Sequence, residues 1–174
     1  MDNLAPHPLN PPLPALGTTL AWQGLHDAAE GLALAQAVKR AQAPCVLLTA
    51  DMNQAFIAEQ ELRFFAADSF PVLLFPDPET LPYDHFSPLP ELVSQRLATL
   101  YELPHLTRGI VILPLATALQ RLPPRSYVHR YALVVRVGQV IDQTQLRNQL
   151  EQAGYCAVRQ VQTHGEFAIR GTFW

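Results

Sequence analysis

The chain has 174 residues, 49% of them apolar and 16% charged, and a formal net charge of -3. That length and apolar content suit one ordinary domain, or one and a small second, with a real core. The charge excludes a free-standing nucleic-acid binder, which needs a cationic surface to displace counterions, and no apolar run is long enough to span a membrane.

Residues 1–16 carry Pro6, Pro8, Pro11, Pro12 and Pro14. They read as a disordered or extended leader with too little apolar surface to fold. Met1-Asp2-Asn3 lacks the basic and apolar regions of a signal peptide. Leu20-Ala21-Trp22 is a short apolar stretch of strand character. Ala28 to Ala41, rich in Ala, Leu and Glu, predicts a helix that Ala43-Pro44 ends. Cys45 to Ala50 is a continuous apolar run of strand length, expected to be buried on both faces. Asp51 with Gln54 forms a capping-box pattern for a helix reaching about Phe65. Val72 to Phe75 is the next buried strand.

Glu79-Thr80-Leu81-Pro82-Tyr83-Asp84-His85-Phe86-Ser87-Pro88 holds the densest unusual chemistry in the chain. Each proline fixes φ and restricts the residue before it, so the loop is expected to be rigid. It follows a strand, where α/β proteins place their sites. Ser87 is read as the cap and Pro88 as the first residue of the next helix, with Leu89, Leu92, Val93, Leu97, Leu100 and Tyr101 on its apolar face. Pro104 stops it. Gly109 to Leu113 is a third buried strand, Ala116 to Leu122 a short helix, and Pro123-Pro124-Arg125 the best domain boundary.

Beyond that boundary, Tyr131 to Val137 reads as a strand. Asp142 with Gln145 caps a helix through Ala153, with Leu146 and Leu150 inward and Gly154 as its stop. Ala157 to Val161 and Glu166 onward are two more strand candidates. The alternation predicts an α/β fold: an open, mostly parallel sheet with helices on both faces over residues 17–124, followed by part of a small α+β domain over 125–174.

The chemistry of an enzyme is thin. Lys39 is the only lysine and sits mid-helix without glycine, so no phosphate-binding loop is present. Six scattered histidines and the cysteines Cys45 and Cys156 show no metal-binding spacing, and the cysteines read as small apolar side chains compatible with a reducing cytoplasm. Asp84 and His85 suggest an alternative, a small α/β enzyme working at the central loop. Adjacent residues on a bent loop rarely face one another, and no nucleophile partner is evident.

Asp77, Glu79 to Pro88, then Ser94, Arg96, Leu97, Thr99 and Leu100 together resemble the N-terminal, UvrB-like region of bacterial transcription-repair coupling factors. The resemblance continues through Gly138-Gln139, Leu146, Leu150, Gly154-Tyr155 and His164-Gly165-Glu166-Phe167-Ala168 with Arg170-Gly171, covering roughly residues 20 to 171. It implies a degenerate helicase-like first domain that has lost its nucleotide site, then part of a domain that binds UvrA. It further implies a DNA-repair role, recruiting excision repair to lesions where RNA polymerase has stalled. ATP and magnesium, like RNA polymerase and DNA, would belong to other parts of the parent translocase. This chain would then be a cytoplasmic, non-enzymatic fragment without catalytic, cofactor or metal residues. The resemblance assigns Arg170 to the partner surface, and Glu166 and Gly171 beside it are expected to share that surface. Tyr83, Asp84 and Arg96 are expected to hold the central loop, Arg96 pairing with Asp84 or Glu79. An inert product of a disrupted gene is a third reading.

Overall fold

A computed structural model describes residues 7–80, 87–133, 135 and 137–170. Three parallel strands form its centre, β1 (Cys45–Thr49), β2 (Val72–Leu74) and β3 (Ile110–Pro114), in the order β1-β3-β2. Cys45, Ile110 and Val72 stand in register, as do Leu47, Ile112 and Leu74. Since side chains alternate across a strand, these six share one face. Helix α2 (Met52–Ala66) lies on that face, and α1 (Ala28–Arg40) packs against α2. Ala35, Val38, Ala55, Leu62, Ala66 and Phe70 fill the space with Val72, Leu74, Ile110 and Ile112.

The opposite face is unevenly covered. Val111 is buried, but Val46 and Leu48 are 64% and 51% exposed. The expectation that β1 is buried on both faces is therefore corrected. β1 is an edge strand, and among the described residues no helix covers its second face. A continuous apolar run cannot distinguish one covered face from two.

Asp51 caps α2 as expected, its Oδ1 accepting from the Gln54 N–H at 2.8 Å. The reciprocal half of the box is shifted: Gln54 Oε1 accepts from the Ala50 N–H at 3.4 Å. Gly109 immediately precedes β3 at φ +134, and a Cβ there would meet the Pro71 carbonyl at 2.6 Å. That carbonyl accepts from the Ile110 N–H at 3.0 Å, so glycine lets β3 approach β2.

Helix α3 (Pro90–Glu102) starts two residues later than the sequence suggests. Leu89 is its cap, extended at φ -58 and ψ 130, and Pro90 takes the first helical position. The cause is steric. With Pro88 first, Leu89 would need helical angles immediately before Pro90, which proline disfavours. A short 3-10 turn (Leu103–His105) follows α3, and α4 (Leu115–Ala118) follows β3.

The larger departure lies after Pro124. Residues Arg125–Tyr131 form α5, which packs on α3 and buries Val128. None of Ala132, Leu133, Val135 and Val137 is in a strand, against the expectation for Tyr131 to Val137. A strand needs a partner edge, and the gain available here is burial of Val128 on α3. Helix α6 (Gln143–Gln152) has both predicted ends. Asp142 Oδ1 accepts from the Thr144 and Gln145 N–H groups at 2.8 and 3.1 Å. Gly154, at φ +88, ends it: its N–H reaches Glu151 O and the Tyr155 N–H reaches Leu150 O. That pair of bonds is the Schellman stop. Strands β4 (Cys156–Ala157) and β5 (Glu166–Phe167) form a separate two-stranded parallel pair, shorter than expected.

The leader, described from His7 onward, turns at His7–Asn10 and is not free of contacts. Arg40 Nη1 donates to Asn10 Oδ1 and to the Pro11 carbonyl, both at 2.7 Å, and Trp22 Nε1 donates to the Pro12 carbonyl at 3.1 Å. Pro11 is fully buried. Prolines lack a donor yet keep a carbonyl, so a Pro-rich segment can satisfy donors on a neighbouring helix. Among the described residues, no helix is long and apolar enough to cross a membrane.

Candidate functional site

Two places gather the chemistry. The first is the carboxyl end of β2, where open α/β sheets commonly carry sites. Phe75 and Pro76 are buried as the strand ends. Arg96, from α3, lies over the Phe75 ring at 4.2 Å and donates to the Pro76 carbonyl. Its other terminal nitrogen donates to Gln120 Oε1 at 3.2 Å. Gln120 Nε2 in turn donates to Asp77 Oδ2 at 3.2 Å, and Thr117 Oγ1 donates to the same oxygen at 2.8 Å. Asp77 Oδ1 accepts from the Glu79 N–H at 2.9 Å. Partial burial holds the Arg96 pKa below its usual value, against the opposing field of Asp77. Thr99 of α3 donates to the Leu74 carbonyl at 2.8 Å, a second tie between helix and strand.

Among the described residues, Arg96 bonds to Pro76 and Gln120 and the carboxylate whose field it feels is Asp77; its other expected partner, Asp84, lies outside the described residues. The run Leu81–Phe86, with Tyr83, Asp84 and His85, lies outside the described residues. Sequence reasoning missed Thr117 and Gln120. Thr117 lies in α4 and Gln120 two residues past its end, and nothing in the sequence marked them as partners of Asp77.

The second place is β5 and the loop before it. Glu166 Oε2 accepts from the Gln162 and Thr163 N–H groups at 2.8 and 3.1 Å. These backbone bonds, Gln162 first and Thr163 second, hold its carboxyl below the usual range. Arg170 is exposed and donates from Nη2 to the Arg159 carbonyl at 2.9 Å. Both side chains thus brace the 159–165 loop. Phe167 is buried, while Ile169 is 48% exposed and does not share its burial. Gly171 lies outside the described residues.

A pH dependence follows. The folded-state pKa of Glu166 is depressed, so its contribution is present above the ordinary glutamate range and lost as pH falls through the folded value. The protection of the Gln162 and Thr163 amides, taken relative to the exchange of an unstructured chain at the same pH, should fall on acidification, and Glu166→Gln should remove that dependence. Equal acid sensitivity in the variant would assign the effect to another group.

A cleft of about 640 Å³ separates α3 and α5 from the α6–β4 turn, lined in part by Val93, Leu97, Tyr101, Val128, Leu133 and Tyr155. His164 and Glu91 meet at 3.4 Å, joining the β5 loop to α3. Both are exposed, so the pair contributes little to stability. Among the described residues, no three metal-ligating groups gather around one point.

No family model matches the chain. It is 43% identical over 147 residues to the transcription-repair-coupling factor of Escherichia coli K12, covering 84% of this chain and 13% of that protein. The Haemophilus influenzae protein of the same name is 41% identical over 143 residues, covering 82% of this chain and 12% of that protein. That of Myxococcus xanthus is 33% identical over 161 residues, covering 89% and 13%. The chain therefore spans about an eighth of the length of these relatives. By its sequence, the chain belongs with the N-terminal part of the transcription-repair-coupling factors.

Proposed function

We propose that this chain acts in transcription-coupled DNA repair as a recruitment module, without an enzymatic activity of its own. The observation that carries the reading is the 43% identity over 84% of the chain to a transcription-repair-coupling factor. In this reading, residues 17–124 are a UvrB-like domain without a nucleotide site. Residues 125–174 belong to a second domain whose partner is UvrA. The ATP-driven translocase, and the contacts with RNA polymerase and DNA, belong to the other parts of the relatives' longer chain. The setting is the cytoplasm.

Arg170, Glu166 and Gly171 form the partner surface in this proposal. The exposed position of Arg170 supports it. A guanidinium presents a planar fork suited to a carboxylate, and its bond to the Arg159 carbonyl fixes the fork on the surface. Glu166 acts from behind by shaping the loop. Titration against the UvrA-type ATPase tests the reading. Binding is expected at micromolar concentration or tighter, weakened about ten-fold by Arg170→Ala, or roughly 1.4 kcal/mol. A folded chain that does not bind overturns the recruitment role. Binding untouched by Arg170→Ala moves the surface elsewhere.

A further inference from the structure

Three rings meet where α3, the turn after it and α5 come together. Tyr101 lies 5.8 Å from His105 and 5.5 Å from His129, and the two imidazole centres are 6.2 Å apart. Both histidines are exposed, and Tyr101 is half-buried between them and the cleft. Glu102, one turn before His105, lines a small cavity with it and adds negative charge nearby. The two histidines come from different elements and are far apart in sequence, so no spacing motif announces them.

We propose that His105 and His129 form a two-imidazole site for a divalent transition ion, completed by water. Two imidazoles on ~2.0–2.1 Å bonds to one tetrahedral ion have ring centres roughly 5 Å apart. The observed separation is 6.2 Å and the rings stand edge to face at 85°, so the two side chains have to close by roughly 1 Å and turn to aim a nitrogen at a common point. Imidazole suits zinc, nickel and copper among the ions of this class. With two protein ligands the site is open and reversible. Its consequence is mechanical: the ion ties α5 to the end of α3. Helix α5 begins the C-terminal part of the chain, so the ion steadies the base on which the β4–β5 corner stands. Protons compete for the same nitrogens, so affinity falls on acidification.

The test uses the whole chain without an affinity tag. Zn²⁺ is titrated by calorimetry into the native chain, His105→Gln, His129→Gln and the control His164→Gln. One ion per chain at micromolar affinity is expected, weakened at least ten-fold by either of the first two changes and unaltered by the third. Ni²⁺ broadening of histidine ring signals in the native chain needs no variant, and is expected to single out His105 and His129. No binding in the native chain overturns the proposal. So does binding that neither substitution weakens, or broadening spread evenly over all the histidines.

Discussion

Ile112→Ala is expected to destabilise the chain by about 3 kcal/mol, within the 2–5 kcal/mol range for truncating a buried aliphatic side chain. Ile112 is fully buried in the central strand, between Leu47 and Leu74 of its neighbours and beneath α2. Its carbonyl accepts from the Phe75 N–H at 2.8 Å, so the backbone on that side is pinned and cannot easily collapse into the space left. The loss therefore combines apolar transfer with a cavity. With a urea slope of about 2 kcal/mol/M, the unfolding midpoint should fall by roughly 1.5 M. Val46→Ala, on the bare face of β1, should stay within about 0.5 kcal/mol of the native chain. Equal losses at the two positions would mean that β1 is covered on its second face.

Removing Arg96 should cost about 2–3 kcal/mol, from bonds made by a charged donor and the contact with Phe75. Arg96→Ala leaves the Pro76 carbonyl and Gln120 Oε1 without their donor, and leaves Asp77 without the cation beside it. Arg96→Lys should recover little, because an ammonium cannot span two acceptors while lying flat on a ring. Asp77→Asn tests whether the cluster acts as a unit. It keeps an acceptor but removes the charge. In urea unfolding, the Arg96→Ala and Asp77→Asn losses should be non-additive by about 0.5–2 kcal/mol. Additive losses would show that Arg96 and Asp77 share a neighbourhood without sharing energy. Loss of this cluster loosens α3, β2 and α4 together, because it is built from all three.

Both results bear on how function is carried here. The proposed partner surface around Arg170 rests on short strands and an exposed loop. The larger part of the chain, with its close-packed sheet face, supplies the rigid body. The Asp77–Arg96 cluster joins the end of β2 to the helix on which α5 is seated. Substitutions in the cluster would thus reach the far corner through α3 and α5, as changes of stability more than of contact.

The sequence by itself determined the elements whose causes are local. The apolar runs gave β1, β2 and β3, and parallel pairing followed from the helices between them. Asp51 and Asp142 marked helix starts because a side-chain oxygen satisfies an N–H two or three residues on. Gly154 marked a helix end because its positive φ suits the reversal there. The match of Asp77, Glu79 to Pro88 and the Gly165–Gly171 region already pointed to the family to which the comparisons assign the chain. Only the tertiary structure decided the rest. The order β1-β3-β2 and the bare side of Val46 and Leu48 depend on which faces meet, and a run of apolar residues carries no such record. Residues 125–131 became a helix because Val128 found a place on α3. Asp77 found Thr117 and Gln120, and His105 found His129, across separations that no local pattern spans. Capping and turn energies act within a few residues, whereas burial and side-chain pairing depend on neighbours brought together by the fold.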